Sequence, residues 1–442
     1  MAVLTMEVQL DYGRDRLTIG LPDQLRVTVL GPAKGHALAD PLAIVEQALA
    51  SPLGARPLAE LASGRHDAVV VISDKTRPVP NGLILPPILR TLEAAGIAPN
   101  RIEILVATGL HRPNTREELV AMTSAEMVER YRFRNHVARN TEEHIHLGRT
   151  TRGTEIWLDR GYVAAGLKVV TGLIEPHLMA GYSGGRKGVA PGLAGIDTMR
   201  SAHGAQMLEG HVGPGIIAGN PFHADLLEIA HRVGIDFLFN VTLDRERQLT
   251  GVFAGDLERA HDAGVRFIEH EVCAELDRPA DIVIASAGGF PLDDTYYQSI
   301  KGMVAALNIV RRGGSIILAA AITEGIGSAD FRHLLRQAGS PEQFMARITA
   351  RGYFSIDQWM VQHLCQVLRK AQVTLVSDGI GADVARGLLV DYAPSVEEAL
   401  QRSLVRHGSG AHVAVLPQGP YVLATVRGRK LSLGRAWLDD AA

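Results

Sequence analysis

Cysteine is scarce in this chain: Cys273 and Cys365 are the only two in 442 residues, with no Cys-x-x-Cys pair. A disulfide framework is thereby excluded, and the usage fits a reducing compartment, so a cytoplasmic protein is expected. Long apolar runs are missing as well. No stretch of about 18 uncharged apolar residues occurs, and the opening MAVLTMEVQLDYGRDR has no basic segment leading into an apolar core, so neither a membrane span nor an export signal is expected. Neither sign of charge is in excess, with 45 Lys and Arg against 48 Asp and Glu. That balance argues against nucleic acid or a membrane surface as the main partner and for a small-molecule substrate.

Two phosphate-binding signatures are absent too. The stretch EPHLMAGYSGGRKGVAPGLAG at 175–195 holds six glycines and one lysine. A nucleotide-triphosphatase loop needs Ser or Thr after its lysine, whereas Lys187 is followed by Gly188. No G-x-G-x-x-G with a later acidic residue follows a strand, which disfavours an ordinary nicotinamide dehydrogenase. What remains is a loop whose backbone N–H groups can approach one phosphate closely beside a lysine.

The runs LRVTVLG (25–31), DAVVVIS (67–73), RIEILVATG (101–109) and LKVVTGLI (167–174) alternate with helical patterns, which reads as βαβ units on a parallel sheet. A second series, ADIVIASAG, GSIILAAAI, AQVTLVSDG and AHVAVLPQG, begins near residue 280. The expected architecture is two α/β domains with parallel or mixed sheets. The first, residues 1–275, is Rossmann-like and cofactor-binding; the second, 276–442, closes over the substrate, with its last segment free to pack back on the first. The active site is expected in the cleft between them. Ligands of parallel sheets sit at the carboxyl ends of strands, and three strand ends deliver Asp74 with Arg77, His111, and His177. Thr115 and Glu118 form a capping box that keeps His111 on a short strand-to-helix loop.

Several motifs, in order, resemble those of the lactate racemase family. SDKTRPVP carries Asp74 and Arg77, ATGLHRP carries His111, and EPHLMAGYSGGRKGVAPG carries His177 and Lys187. His203 follows on a helical segment, GGFPLDDTYYQSIKG carries Tyr297, Gln298 and Lys301, and DQW ends in Trp359. The resemblance implies a racemase or epimerase of a 2-hydroxy acid that uses a nickel-pincer nucleotide, loaded by cofactor-synthesis proteins and joined covalently to Lys187. It further implies His203 as the nickel ligand, His111 and His177 as acid-base residues, and Asp74, Gly184, Gly185 and Gly188 beside the cofactor. Arg77, Tyr297, Gln298, Lys301 and Trp359 would bind the substrate. Read without the resemblance, the residues leave two alternatives open: a hydrolase or lyase whose His111, His177 and His203 share one metal, and a non-catalytic phosphate- or nucleotide-binding module.

Overall fold

The computed structural model describes residues 5–428 apart from 34, 209 and 210, and these form two α/β domains. The first sheet has the strand order Leu249–Gly255, Phe237–Leu243, Lys168–Leu173, Ala68–Ser73, Ile102–Ala107, Arg132–Asn135. Neighbours are parallel except Leu249–Gly255, which runs antiparallel to Phe237–Leu243. Its central strands are apolar throughout because both faces are covered. Val69 and Val71 join one core with Leu105 and Val170, whereas Val70 and Ile72 join another with Ile104, Val106 and Val169. The two-residue period of a strand thus divides one apolar run between two cores.

The second sheet is parallel throughout, in the order Asp391–Tyr392, Ala371–Val376, Val310–Ala319, Ala280–Ser286, His412–Leu416, Arg26–Val29. Its last strand departs from the sequence reading, which assigns 25–31 to the first domain. The hairpin of Thr5–Tyr12 and Asp15–Pro22 goes with it, burying Val8, Leu10, Ile19 and Leu21 against Ile282, Ile284 and Ile317. Periodicity identifies a strand but does not say which sheet takes it. Near the expected boundary, Cys273–Leu276 pairs with Leu423–Val426, and Leu423 packs with Ile174, Tyr182 and Ile268 of the first domain. Residues 429–442, part of the expected second domain, lie outside the described residues. Among the described residues no helix is long and apolar enough to cross a membrane.

In the first sheet the chain runs outward from Ala68–Ser73 to Arg132–Asn135, then returns to set Lys168–Leu173 on the other side of Ala68–Ser73. The strand order reverses between those two, so the loops leaving their carboxyl ends diverge and open a crevice.

Candidate active site

That crevice is a cavity of about 160 Å³ between the domains, and ten expected side chains line it: Asp74, Arg77, His111, His177, Lys187, His203, Tyr297, Gln298, Lys301 and Trp359. Gly184 and Gly188 also border it, whereas Gly185 does not.

His111 sits on the loop ahead of helix Arg116–Met122, whose capping box of Thr115 and Glu118 is present. Its Nδ1 lies 2.6 Å from Asp74 Oδ2. Asp74 Oδ1 accepts from the Thr76 N–H at 3.2 Å and the Thr76 hydroxyl at 2.6 Å. Burial opposes the charge on Asp74, but His111 and then Thr76 and Arg77 outweigh it and bring its pKa down to about 2. An ionised Asp74 accepts a hydrogen bond from the proton on His111 Nδ1, which directs the other ring nitrogen, Nε2, toward Gln298, whose amide nitrogen is 3.3 Å away. Asp74, expected beside the cofactor, is thus committed to His111 and Thr76.

His177 begins a tight hairpin in which Pro176–His177 pairs with Gly181–Tyr182. The turn folds back so that the N–H groups of Met179 and Ala180 donate to His177 Nδ1 at 3.2 and 3.1 Å. Nδ1 is therefore unprotonated and the ring proton sits on Nε2, 2.8 Å from Lys187 Nζ. An Nε2–H needs an acceptor there, so Lys187 is a neutral amine. Burial, with Arg77, Arg186 and Lys301 nearby, pushes Lys187 well below the usual ammonium range. Burial is the main cause that holds His177 well below the usual imidazole range, with Lys301 and Arg77 nearby adding to it.

The glycines let this loop lie flat on the sheet. Gly184 has φ +70°, and a Cβ there would stand 2.7 Å from Asn240 Oδ1; one on Gly188 would stand 2.5 Å from a Val170 methyl. The Gly185 N–H donates to Asn240 Oδ1 at 2.7 Å, which turns that residue away from the cavity. Buried Arg186 donates to the carbonyls of Ala180 and Tyr182 at 2.5 and 3.0 Å and lies 3.0 Å from His261 Nε2. Sequence reasoning missed Asn240, Arg186 and His261, which hold the loop bearing Lys187; a lone Asn at the end of FLFN was the only local signal.

His203 caps the carboxyl end of helix Ile196–Ala202, one step beyond the helix expected to carry it. Its Nδ1–H donates to the Met199 carbonyl at 3.1 Å, and its ring lies 5.0 Å from Phe222 and 4.6 Å from Trp359. Burial lowers its pKa to about 3, so the imidazole is neutral with an Nε2 lone pair. Among the described residues no three His, Cys, Asp or Glu side chains converge to hold a metal, which disfavours the shared three-histidine centre.

Helix Tyr296–Leu307 contributes the facing wall: Lys301 lies three residues beyond Gln298 and four beyond Tyr297, and all three border the cavity. Trp359 Nε1–H donates to the Tyr297 hydroxyl at 2.9 Å. Arg77 Nε is 2.9 Å from Glu175 Oε1, and its Nη1 donates to the Thr76 carbonyl at 3.1 Å. Burial and then Arg77 bring Lys301 down to about 7, opposed by Glu175 and Asp74.

The chain matches the lactate racemase N-terminal domain over residues 12–213 and the lactate racemase C-terminal domain over 276–424. It is 33% identical over 423 residues to the lactate racemase of Thermoanaerobacterium thermosaccharolyticum, covering 94% of this chain and 98% of that one. The chain belongs to the lactate racemase family. It is an isomerase by that membership. The lactate racemase of Lactiplantibacillus plantarum is 36% identical over 379 residues, 85% of this chain and 89% of that one. The T. thermosaccharolyticum lactate racemase apoprotein superposes with a TM-score of 0.88 at 32% identity, over 95% of this chain and all of that chain. A Thermotoga maritima protein, at 17% identity and TM-score 0.69 over 89% of this chain and all of its own, shares the fold. Family membership disfavours the purely binding module.

Proposed function

We propose that the chain interconverts the enantiomers of a 2-hydroxy acid, lactate being the first to test, by moving the C2 hydrogen as a hydride. Taking that hydrogen as a proton would put a second negative charge beside the substrate carboxylate. Taking it as a hydride, with loss of the hydroxyl proton, leaves a neutral carbonyl. A nickel-pincer nucleotide, when bound, supplies the hydride acceptor that side chains lack. The residues fit it: Lys187 is a neutral amine suited to covalent attachment, and His203 is a neutral imidazole oriented by Met199, a donor that nickel takes readily. Gly184 and Gly188 border the same space.

The observation that carries this reading is the complementary state of the two histidines. His111 offers a lone pair at Nε2 with Asp74 behind it, and His177 carries a proton at Nε2 with two backbone donors behind it. His111 is set as the base that takes the hydroxyl proton, with Asp74 stabilising the imidazolium formed. Neutral His177 donates a hydrogen bond from Nε2–H and takes the acid and base roles for the opposite enantiomer once the site around Lys187 changes its protonation. Covalent attachment of the cofactor at Lys187 would withdraw that amine's lone pair and free His177 Nε2–H for another partner. Arg77 and Lys301 receive the carboxylate from opposite domains, while Tyr297, Gln298 and Trp359 help exclude water.

Protein made in cells that also produce the cofactor should be heavier by a mononucleotide mapped to Lys187, carry about one nickel, and racemise both lactate enantiomers. His111→Ala and His177→Ala should each keep nickel and lose turnover in both directions. Nickel-loaded protein inert toward 2-hydroxy acids would refute the substrate class, and full activity in either variant would refute the histidine roles.

A further inference from the structure

Glu175 has no part in the chemistry above, yet it is built firmly into the site. Its N–H donates to Ser183 Oγ at 3.0 Å, and its carbonyl accepts from the Ser183 N–H at 2.9 Å. Clamped there, Glu175 is 8% exposed, with Oε1 2.9 Å from Arg77 Nε and Oε2 without a hydrogen-bond partner among the described residues. A small cavity of about 30 Å³ is bordered by Arg77, Glu175, His177 and Lys301 together, so the carboxylate shares one enclosed space with both cations.

An unpartnered buried carboxylate oxygen is costly, and a hydrophobic residue would fill the space without that cost. Its effect is on charge. Arg77 and Lys301 alone would present two positive charges, and Glu175 cancels one. The pair is left matched to a single carboxylate, and a second anionic group on the substrate would meet Glu175 without a cation to spare.

We propose that Glu175 is a specificity-determining residue, holding Arg77 in its own ion pair so that the subsite favours an acid with one carboxylate over an acid with two. The inference rests on the 2-hydroxy acid reading above. Its test compares lactate with malate, which adds one carboxylate, in nickel-loaded wild-type, Glu175→Gln and Glu175→Asp enzymes. Glu175→Gln keeps the shape and loses the charge; it should raise the malate-to-lactate ratio of kcat/KM about tenfold. Glu175→Asp, which keeps the charge, should stay near the wild-type ratio. Calorimetric binding of both acids to the cofactor-free proteins should show the same order of preference without turnover. An unchanged ratio in loaded Glu175→Gln, or equal shifts in both variants, would overturn the proposal while leaving the racemase reading intact. If the loaded wild type turns over no 2-hydroxy acid, that reading fails, and the binding comparison alone decides the charge argument.

Discussion

Replacing Asp74 with Asn tests the role proposed for the His111–Asp74 pair most directly, because the change keeps shape and removes one buried charge. Asp74 is 5% exposed, and its surroundings bring its pKa from an ordinary 3.8 to about 2 against the opposing effect of burial. A difference of that size corresponds to about 2 kcal/mol of net stabilisation of the ionised carboxylate. His111 is its leading favourable partner, ahead of Thr76 and Arg77. If most of that interaction supports the imidazolium formed as His111 takes the hydroxyl proton, Asp74→Asn should lower kcat/KM by roughly 10- to 30-fold. Asp74 has a depressed pKa, so its contribution is fully present above the unfolded value near 4 and is lost only as pH falls toward 2. Assays between pH 6 and 9 therefore see a constant Asp74 charge. Racemisation followed by polarimetry from each enantiomer, normalised to nickel content, gives the measurement. The enantiomers are equal in free energy, so kcat/KM must fall equally in both directions. A fully loaded variant with wild-type kcat/KM would refute the role given to Asp74.

Three further outcomes are expected. Lys301 is charged below its depressed pKa of about 7, so kcat/KM should decline as pH rises through that region, and Lys301→Arg should carry the decline to much higher pH; a profile unchanged by the substitution would exclude Lys301 as a carboxylate ligand. In the cofactor-free chain a small acylating reagent at neutral pH should modify Lys187 ahead of exposed lysines, read by peptide mass spectrometry, because its amine is already neutral; labelling only in strong alkali would contradict the hydrogen-bond assignment. Gly184→Ala should cost about 1–3 kcal/mol of stability, seen as a lower Tm, since φ +70° and a 2.7 Å approach to Asn240 leave no room for a methyl group.

Much of the fold was legible because strands covered on both faces read as unbroken apolar runs, and DAVVVIS, RIEILVATG and LKVVTGLI all became central strands. Polar residues directly after such runs fall at carboxyl ends, which is why Asp74, Arg77, His111 and His177 could be placed before any coordinates. Partnership was not legible. Gly185 and Asn240 are 55 residues apart and Arg186 and His261 are 75 apart, and nothing in local spacing pairs them. The same holds for the edge strand Arg26–Val29, whose sheet is decided by the hairpin before it. The protonation of His177 was equally hidden, because it follows from where two backbone N–H groups point.

The division of the cations between domains gives Glu175 a further physical consequence. Arg77 belongs to the first domain and Lys301 to the second, so their repulsion acts across the boundary between the domains and, after burial, lowers the proton affinity of Lys301. The ion pairs of Lys75 with Glu324 and of Arg139 with Asp330 cross the same boundary, but such partly exposed pairs each contribute at most about 1 kcal/mol. Glu175 acts from within, where screening by water is weak: it attracts both cations at once and offsets their repulsion across the boundary. Remove its charge, and the same two cations should both bind a second carboxylate more readily and repel each other more strongly. One carboxylate would therefore act both on substrate preference and on the repulsion across the boundary, and the two effects separate experimentally because the first changes the ratio between acids and the second changes both acids alike.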